Sequence, residues 1–185
     1  MTVVLTMISI SIKQVQLSVD TRDSEIAFHA ASAGLECVRH WRRAERDAFE
    51  DGNDSIQVQC FGEDIPVEIN GEVSSLAAND SNLNDVDTGS SVYIYDMEAT
   101  WALGDAERCS RVRMVLLNNS SDSSDSLTLS NMTDYIPGYP VNQASCEPGG
   151  RCTIFSSQGY SNACPMVTGA RFPLGTIQRD ILVEF

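Results

Sequence analysis

Lysine, histidine and helix-breaking residues are scarce in this sequence, and each shortage excludes something. The 185 residues contain one lysine, Lys13, and only 12 Lys+Arg against 26 Asp+Glu, a net charge of −14. A molecule of that sign repels polyanions, so no direct nucleic-acid binding is expected. Arg108, Arg111 and Arg113 form a dense basic group in the β-prone part of the chain, and alternate spacing sets Arg111 and Arg113 on one face of a strand. Two histidines, His29 and His40, are too few for most His-based metal sites. No two of the six cysteines have C-x2-C spacing, which disfavours zinc. In an acidic, lysine-poor chain they point to three disulfides and an oxidising compartment. G-x-S-x-G, a phosphate-binding glycine loop and a local Ser/His/Asp arrangement are all missing, so no enzymatic activity is expected.

Helix breakers are absent where it matters most. No glycine precedes Gly34, and no proline precedes Pro66. Residues 1–12 carry no charge, and residues 13–50 mix polar and apolar positions with helical periodicity. Ile26, Ala30, Ala33, Cys37 and Trp41 step by four, three, four and four, which predicts one stripe packed on a globular head. Phe28 and Trp41 are expected to lie against a sheet. Asp51-Gly52-Asn53-Asp54 is the stop signal.

A single helix of about 50 residues would run ~75 Å, longer than a head built from the rest. The chain is therefore read as three parts. Residues 1–25 are a protruding apolar helix half, 26–52 an amphipathic half packed on the head, and 53–185 a disulfide-bonded, β-rich head. The protruding apolar positions are Met1, Val3, Val4, Leu5, Met7, Ile8, Ile10, Ile12, Val15 and Leu17. Left in water they would aggregate, so they require lipid or the same helix from neighbouring subunits. Twelve uncharged residues are too few for a bilayer span of about 20. With no basic segment before them and no small-x-small site after them, they do not read as a signal peptide. The expectation is a start partway along a longer apolar helix, or a leader already removed. Lys13, Asp20, Arg22, Asp23 and Glu25 are the first charges, and some are expected to pair between subunits and set register.

The run from Thr21 to Cys37, TRDSEIAFHAASAGLEC, resembles the amphipathic half of the first helix of type IV pilin-like proteins, particularly minor pilins and the pilin-like proteins of ultra-small bacteria. The tail Ser157 to Cys164, SSQGYSNAC without its first Ser, is similar to a G-Y-N-x-C ending in that group. Leu5 is the fifth residue here, where the family carries Glu at mature position five. The resemblance implies an α+β fold, with a long N-terminal helix packed on an antiparallel sheet. It implies an extracellular cell-surface filament, a homopolymer held by the helices. Its implied partners are other copies, the pilus assembly machinery and, before assembly, the inner membrane as anchor. Adhesion, motility or DNA uptake would follow. The alternative is a low-copy minor pilin or membrane-tethered surface-binding module, contacting its target through loops 79–91 or 118–150.

After Gly52 the sequence changes to short β-prone runs between turns. Residues 56–61, 65–69, 92–101, 109–117, 153–155 and 177–185 follow one another without helical spacers, which predicts an antiparallel sheet. Residues 118–126, NNSSDSSDS, read as an exposed loop. The cysteines allow fifteen pairings. Cys146–Cys152 brackets a Pro-Gly-Gly turn, Cys37–Cys60 joins sequence neighbours, and Cys109–Cys164 remains. Calcium is the only cofactor candidate. Asp80, Asn82 and Asn84 have 1-3-5 spacing, followed by Asp85 and Asp87, but Asp85 stands at the sixth position and Ser91 at the twelfth, so the loop is not an EF-hand.

Overall fold

The computed structural model describes residues 2–53, 56–60, 62–69, 83, 89–103, 106–167 and 175–185. The calcium candidate Asp80, Asn82, Asn84, Asp85 and Asp87 lies outside the described residues, as does Met1.

Helix α1 spans Thr2–Ala44, 43 residues, or about 65 Å at ~1.5 Å per residue. The single uninterrupted helix expected to residue 50 is instead broken at Glu45, whose backbone leaves helical geometry (φ −109, ψ 42) before a short α2 at Arg46–Glu50. Gly52, at φ 69, then takes the left-handed conformation that ends the segment. The strands are β1 (Gln57–Cys60), β2 (Glu63–Ile69), β3 (Ser91–Leu103), β4 (Ala106–Asn118), β5 (Leu127–Ser130), β6 (Gln143–Cys146), β7 (Arg151–Tyr160) and β8 (Gln178–Glu184), with one-turn helices α3 (Met132–Tyr135) and α4 (Cys164–Val167). Six strands form an antiparallel sheet in the order β1-β2-β3-β4-β7-β8. This is the α+β architecture expected from the sequence: a long N-terminal helix on an antiparallel sheet.

Strand alternation sends side chains to both faces. Tyr95 and Met97 of β3, Val112, Met114 and Leu116 of β4, and Phe155 of β7 pack beneath Leu35 and Val38 of α1 and Phe49 of α2. The intervening residues Val92, Ile94, Val115, Leu117 and Ile154 are covered on the opposite face by the β5–β6 hairpin, with Met132, Ile136 and Tyr139. The sequence gives no sign of that hairpin: Leu-Thr-Leu-Ser and Gln-Ala-Ser-Cys are too short and too polar to stand out, and they pair with Leu127, Leu129, Ala144 and Cys146 alternating inward.

The disulfides are Cys37–Cys60, Cys109–Cys164 and Cys146–Cys152. They tie α1 to β1, β4 to the tail after β7, and β6 to β7.

Glu50 anchors the base of the head. Its side chain, 6% exposed, meets Arg42 of α1 at 2.9 Å, Arg46 of α2 at 2.8 Å and Arg151 of β7 at 2.9 Å. Burial pushes the Glu50 carboxyl up, but hydrogen bonds from Arg46 and Arg42, with the charges of Arg42 and Arg151, outweigh it and hold the group below the usual carboxylate range. Because the folded-state value is depressed, the stabilisation is present above the unfolded-state value and is lost as pH falls through the folded one. Glu50→Gln should cost about 3 kcal/mol at neutral pH, and the gap to wild type should close on acidification below the ordinary glutamate range. Thermal melts of both proteins between neutral and acid pH check this; a gap that is constant with pH refutes it.

Candidate assembly surface

Where α1 crosses the sheet, contact is made by small residues. Ala27, Ala30 and Ala31 are fully buried, followed by Gly34, Leu35 and Val38. The expected stripe of Ile26, Ala30, Ala33, Cys37 and Trp41 is thus only partly right. Ala30 lies in the interface, while Ile26, Ala33, Cys37 and Trp41 are half-buried along its border. The reason is backbone proximity. A Cβ on Gly159 of β7 would sit 2.0 Å from the Ala27 carbonyl oxygen and 2.3 Å from the Ala31 nitrogen. Large side chains cannot occupy that seam, so bulkier residues flank it. The Ser110 hydroxyl donates to the Ala30 carbonyl and the Ser157 hydroxyl to the Ala31 carbonyl, each at 2.6 Å, from beneath the helix. Phe28 does not pack on the sheet: it is 50% exposed, because its position points sideways.

The two borders of the helix are identified by their contacts. On one side Cys37 bonds to Cys60 and the Trp41 indole donates to the Gln59 carbonyl at 2.8 Å, both on edge strand β1. On the other, Arg179 of edge strand β8 donates to the Ser24 hydroxyl from Nε at 2.9 Å and Nη2 at 2.6 Å. There too the Arg39 guanidinium stacks over Phe185 at 4.4 Å.

N-terminal to this seat the helix leaves the head. Every residue from Met7 to Arg22 is exposed. Met7, Ile8, Ile10, Ile12, Val15, Leu17 and Val19 place seven large apolar side chains in water over thirteen positions. The backbone of Val3, Val4 and Leu5 continues the helix. Monomeric soluble proteins rarely expose so much contiguous apolar surface. Ten of the 21 residues from 2 to 22 are β-branched, which lowers helix propensity, so a stable helix here depends on packing partners. The polar residues between them are partly self-satisfied. Ser11 donates to the Met7 carbonyl at 3.0 Å and Thr21 to the Leu17 carbonyl at 2.8 Å, which lets their hydroxyls enter an apolar contact at low cost. No helix among the described residues is long and apolar enough to cross a membrane.

The head offers less. Arg111 meets Glu98 at 2.7 Å and Arg113 meets Asp96 through two hydrogen bonds of 2.6 and 2.7 Å, so cross-strand carboxylates match both charges of the expected basic face. Among the described residues, the one cluster of metal-type ligands is Glu98 with Cys109 and Cys164, and both sulfurs are joined in a disulfide. The segment 118–126, expected to be an exposed loop, is only partly so: Ser121, Asp122, Ser124 and Asp125 are exposed, the others half-buried, and Asn119 is buried and donates to the Asp125 and Cys146 carbonyls at 3.0 Å each, so its amide fastens the loop to β6.

No known protein family, curated protein or solved structure matches this chain.

Proposed function

We propose that the protein is a structural subunit of an extracellular, type IV pilus-like filament, polymerising through the protruding half of α1. The observation that carries this reading is the run of exposed apolar residues from Met7 to Val19 on a helix whose other half is bolted to a disulfide-closed head. An apolar rod extending beyond its own globule lowers its free energy only by being covered. Neighbouring copies cover it without limit, and the acidic heads then face outward. Three disulfides, one of them fastening α1 itself, suit a subunit that works outside the cell under tension. A stay at the inner membrane before assembly and delivery by pilus assembly machinery fit the same apolar residues. Adhesion, motility or DNA uptake would be functions of the finished filament.

Electron microscopy of the oxidised protein, with hydrogen exchange read by mass spectrometry, tests this. The expected result is long helical filaments in which the amides of residues 7–22 become protected relative to the dilute protein. A species that remains monomeric at all concentrations, with those amides unprotected, overturns it. Small oligomers that do not elongate would support the other reading, a low-copy surface-binding module.

A further inference from the structure

The two edges of the six-stranded sheet differ. Edge strand β1 is four residues long. Its outward Gln59 carbonyl is taken by the Trp41 indole at 2.8 Å, beside the Cys37–Cys60 bridge. Edge strand β8 is seven residues long, and its hydrogen-bond phase is fixed at both ends. Thr153 and Phe185 exchange both backbone hydrogen bonds at 2.9 Å, and the Ser161 amide donates to the Ile177 carbonyl at 3.1 Å. In an antiparallel ladder such bonded pairs alternate with pairs that make no bond to each other. The register runs unbroken from Ile154 opposite Glu184 to Tyr160 opposite Gln178. Arg179, Ile181, Val183 and Phe185 therefore turn their amides and carbonyls to β7. Gln178, Asp180, Leu182 and Glu184 turn theirs away from the sheet. Among the described residues no hydrogen bond reaches these outward groups. The edge is open to solvent, since Arg179, Asp180, Leu182, Glu184 and Phe185 are all exposed.

The side chains divide by face. Arg179, Ile181, Val183 and Phe185 lie on the side of α1, as the contacts of Arg179 with Ser24 and of Phe185 with Arg39 show. Phe28 falls between Ser24 and Arg39 in helix phase and is exposed over the same border. Asp180, Leu182 and Glu184 lie on the other face. The Asp180 carboxylate accepts from the Gln178 amide at 2.9 Å, and the Glu184 carboxylate accepts from the Tyr139 hydroxyl. Among the described residues neither carboxylate has a cationic side chain at ion-pair distance.

An unpaired edge is a template for another strand, and the charges decide which strand fits. Pairing β8 with β8 of a second copy would bring Asp180 and Glu184 of both copies onto one face of the seam, where like charges repel. The β1 edge of a second copy offers four residues and an occupied carbonyl. A strand from a different protein with basic residues at alternate positions would meet both carboxylates. Its intervening apolar residues would meet Val183, Phe28 and Phe185.

We propose that the β8 edge is a docking site for an extended segment of another protein, added as a seventh strand, in which basic and apolar residues alternate. Backbone hydrogen bonds hold the segment, and Asp180 and Glu184 select its charge. The site lies on the head, so it does not depend on polymerisation of α1.

The probe is a fluorescent, amidated heptapeptide of alternating lysine and valine, added to the oxidised full chain. Fluorescence anisotropy should show saturable binding, and hydrogen exchange read by mass spectrometry should show added protection concentrated in residues 178–185. A peptide of alternating glutamate and valine should bind about tenfold more weakly or worse. Leu182→Pro removes one outward donor and no bond to β7, the placement in which an edge strand tolerates proline. It should weaken binding roughly tenfold and leave the near-ultraviolet circular dichroism of the head unchanged. Asp180→Lys alters an exposed side chain and leaves the ladder whole, and it should weaken binding about fivefold or more. Should Leu182→Pro disturb the head, Asp180→Lys and the exchange map decide. Absence of saturable binding overturns the proposal. So does protection outside β8, binding that a folded Leu182→Pro leaves unchanged, or equal binding of the two peptides or of Asp180→Lys and wild type.

Discussion

Replacing Ile12 and Val15 together by Gln should abolish polymerisation while leaving the head folded. Both residues are exposed in the subunit, so the substitution removes nothing from the core. Gln is a good helix former, so the change tests burial and not helix propensity. Each aliphatic side chain transferred from water into a helix–helix contact contributes about 1.5–3 kcal/mol. Losing two at every contact removes roughly 3–6 kcal/mol, which raises the concentration needed for assembly by at least ~100-fold. Sedimentation across a concentration series, beside thermal melts of the dilute protein, separates the two effects. The melting temperature should stay within about a degree of wild type, because exposed substitutions away from structural features typically change stability by less than ~0.5 kcal/mol. Ser18→Ala, on the outer polar face, is the matched control and should assemble normally. Unimpaired assembly by the double variant would show that this side of the helix is not an interface.

The parts of the fold that were legible in the sequence are those fixed by local chemistry. The helix is announced by the absence of glycine before Gly34 and of proline before Pro66. Strands β3 and β4 are announced by the apolar, β-prone runs Val92–Tyr95 and Met114–Leu117, continuous as a sheet covered on both faces allows. The Cys146–Cys152 pair closes a Pro-Gly-Gly turn, so loop length alone favours it. What was not legible depends on distant backbone. Ser110, Ser157 and Gly159 look like ordinary strand residues, and only the helix lying on them makes their small size essential. Glu50 reads as one acidic residue among 26, since Arg151 reaches it from a hundred positions away in sequence. The phase of the packed stripe is hidden in the sequence for the same reason. Apolar periodicity favours the bulky Ile26 and Trp41, whereas the closest approach selects Ala27, Ala31 and Gly34, the residues that let the helix descend. The exposed half of the candidate surface was legible because it is a conflict: apolar residues on a helix with no head left to cover them.

That close approach carries the largest expected effect on stability. Gly159→Ala should destabilise the head nearly as much as Gly159→Val, because the first added carbon is already the obstacle. It would lie 2.0 Å from the Ala27 carbonyl oxygen, 2.3 Å from the Ala31 nitrogen and 3.0 Å from the Ala30 carbonyl carbon. All three are helix backbone, which cannot rotate aside as a side chain would. Relief requires lifting α1 by more than an ångström. The helix is held at that height by the 2.6 Å hydrogen bonds from Ser110 and Ser157 and, two to three turns further on, by the bond from Cys37 to Cys60. Lifting it strands two buried hydroxyls at about 1–3 kcal/mol each and adds an overpacking cost of ~1–3 kcal/mol. A total near 4 kcal/mol is a large fraction of the ~5–15 kcal/mol typical of a folded domain, and for a chain of this size should lower the melting temperature by roughly 10 °C. Gly62→Ala is the comparison. Nothing lies within 4 Å of its added carbon, and only its φ of +85 is unfavourable, so it should cost about 1 kcal/mol. Thermal melts under non-reducing conditions rank the three. If Gly159→Ala melts with Gly62→Ala, the helix does not rest on β7 backbone to backbone. If it melts far below, the small residues of α1 and β7 are what seat α1 on the head.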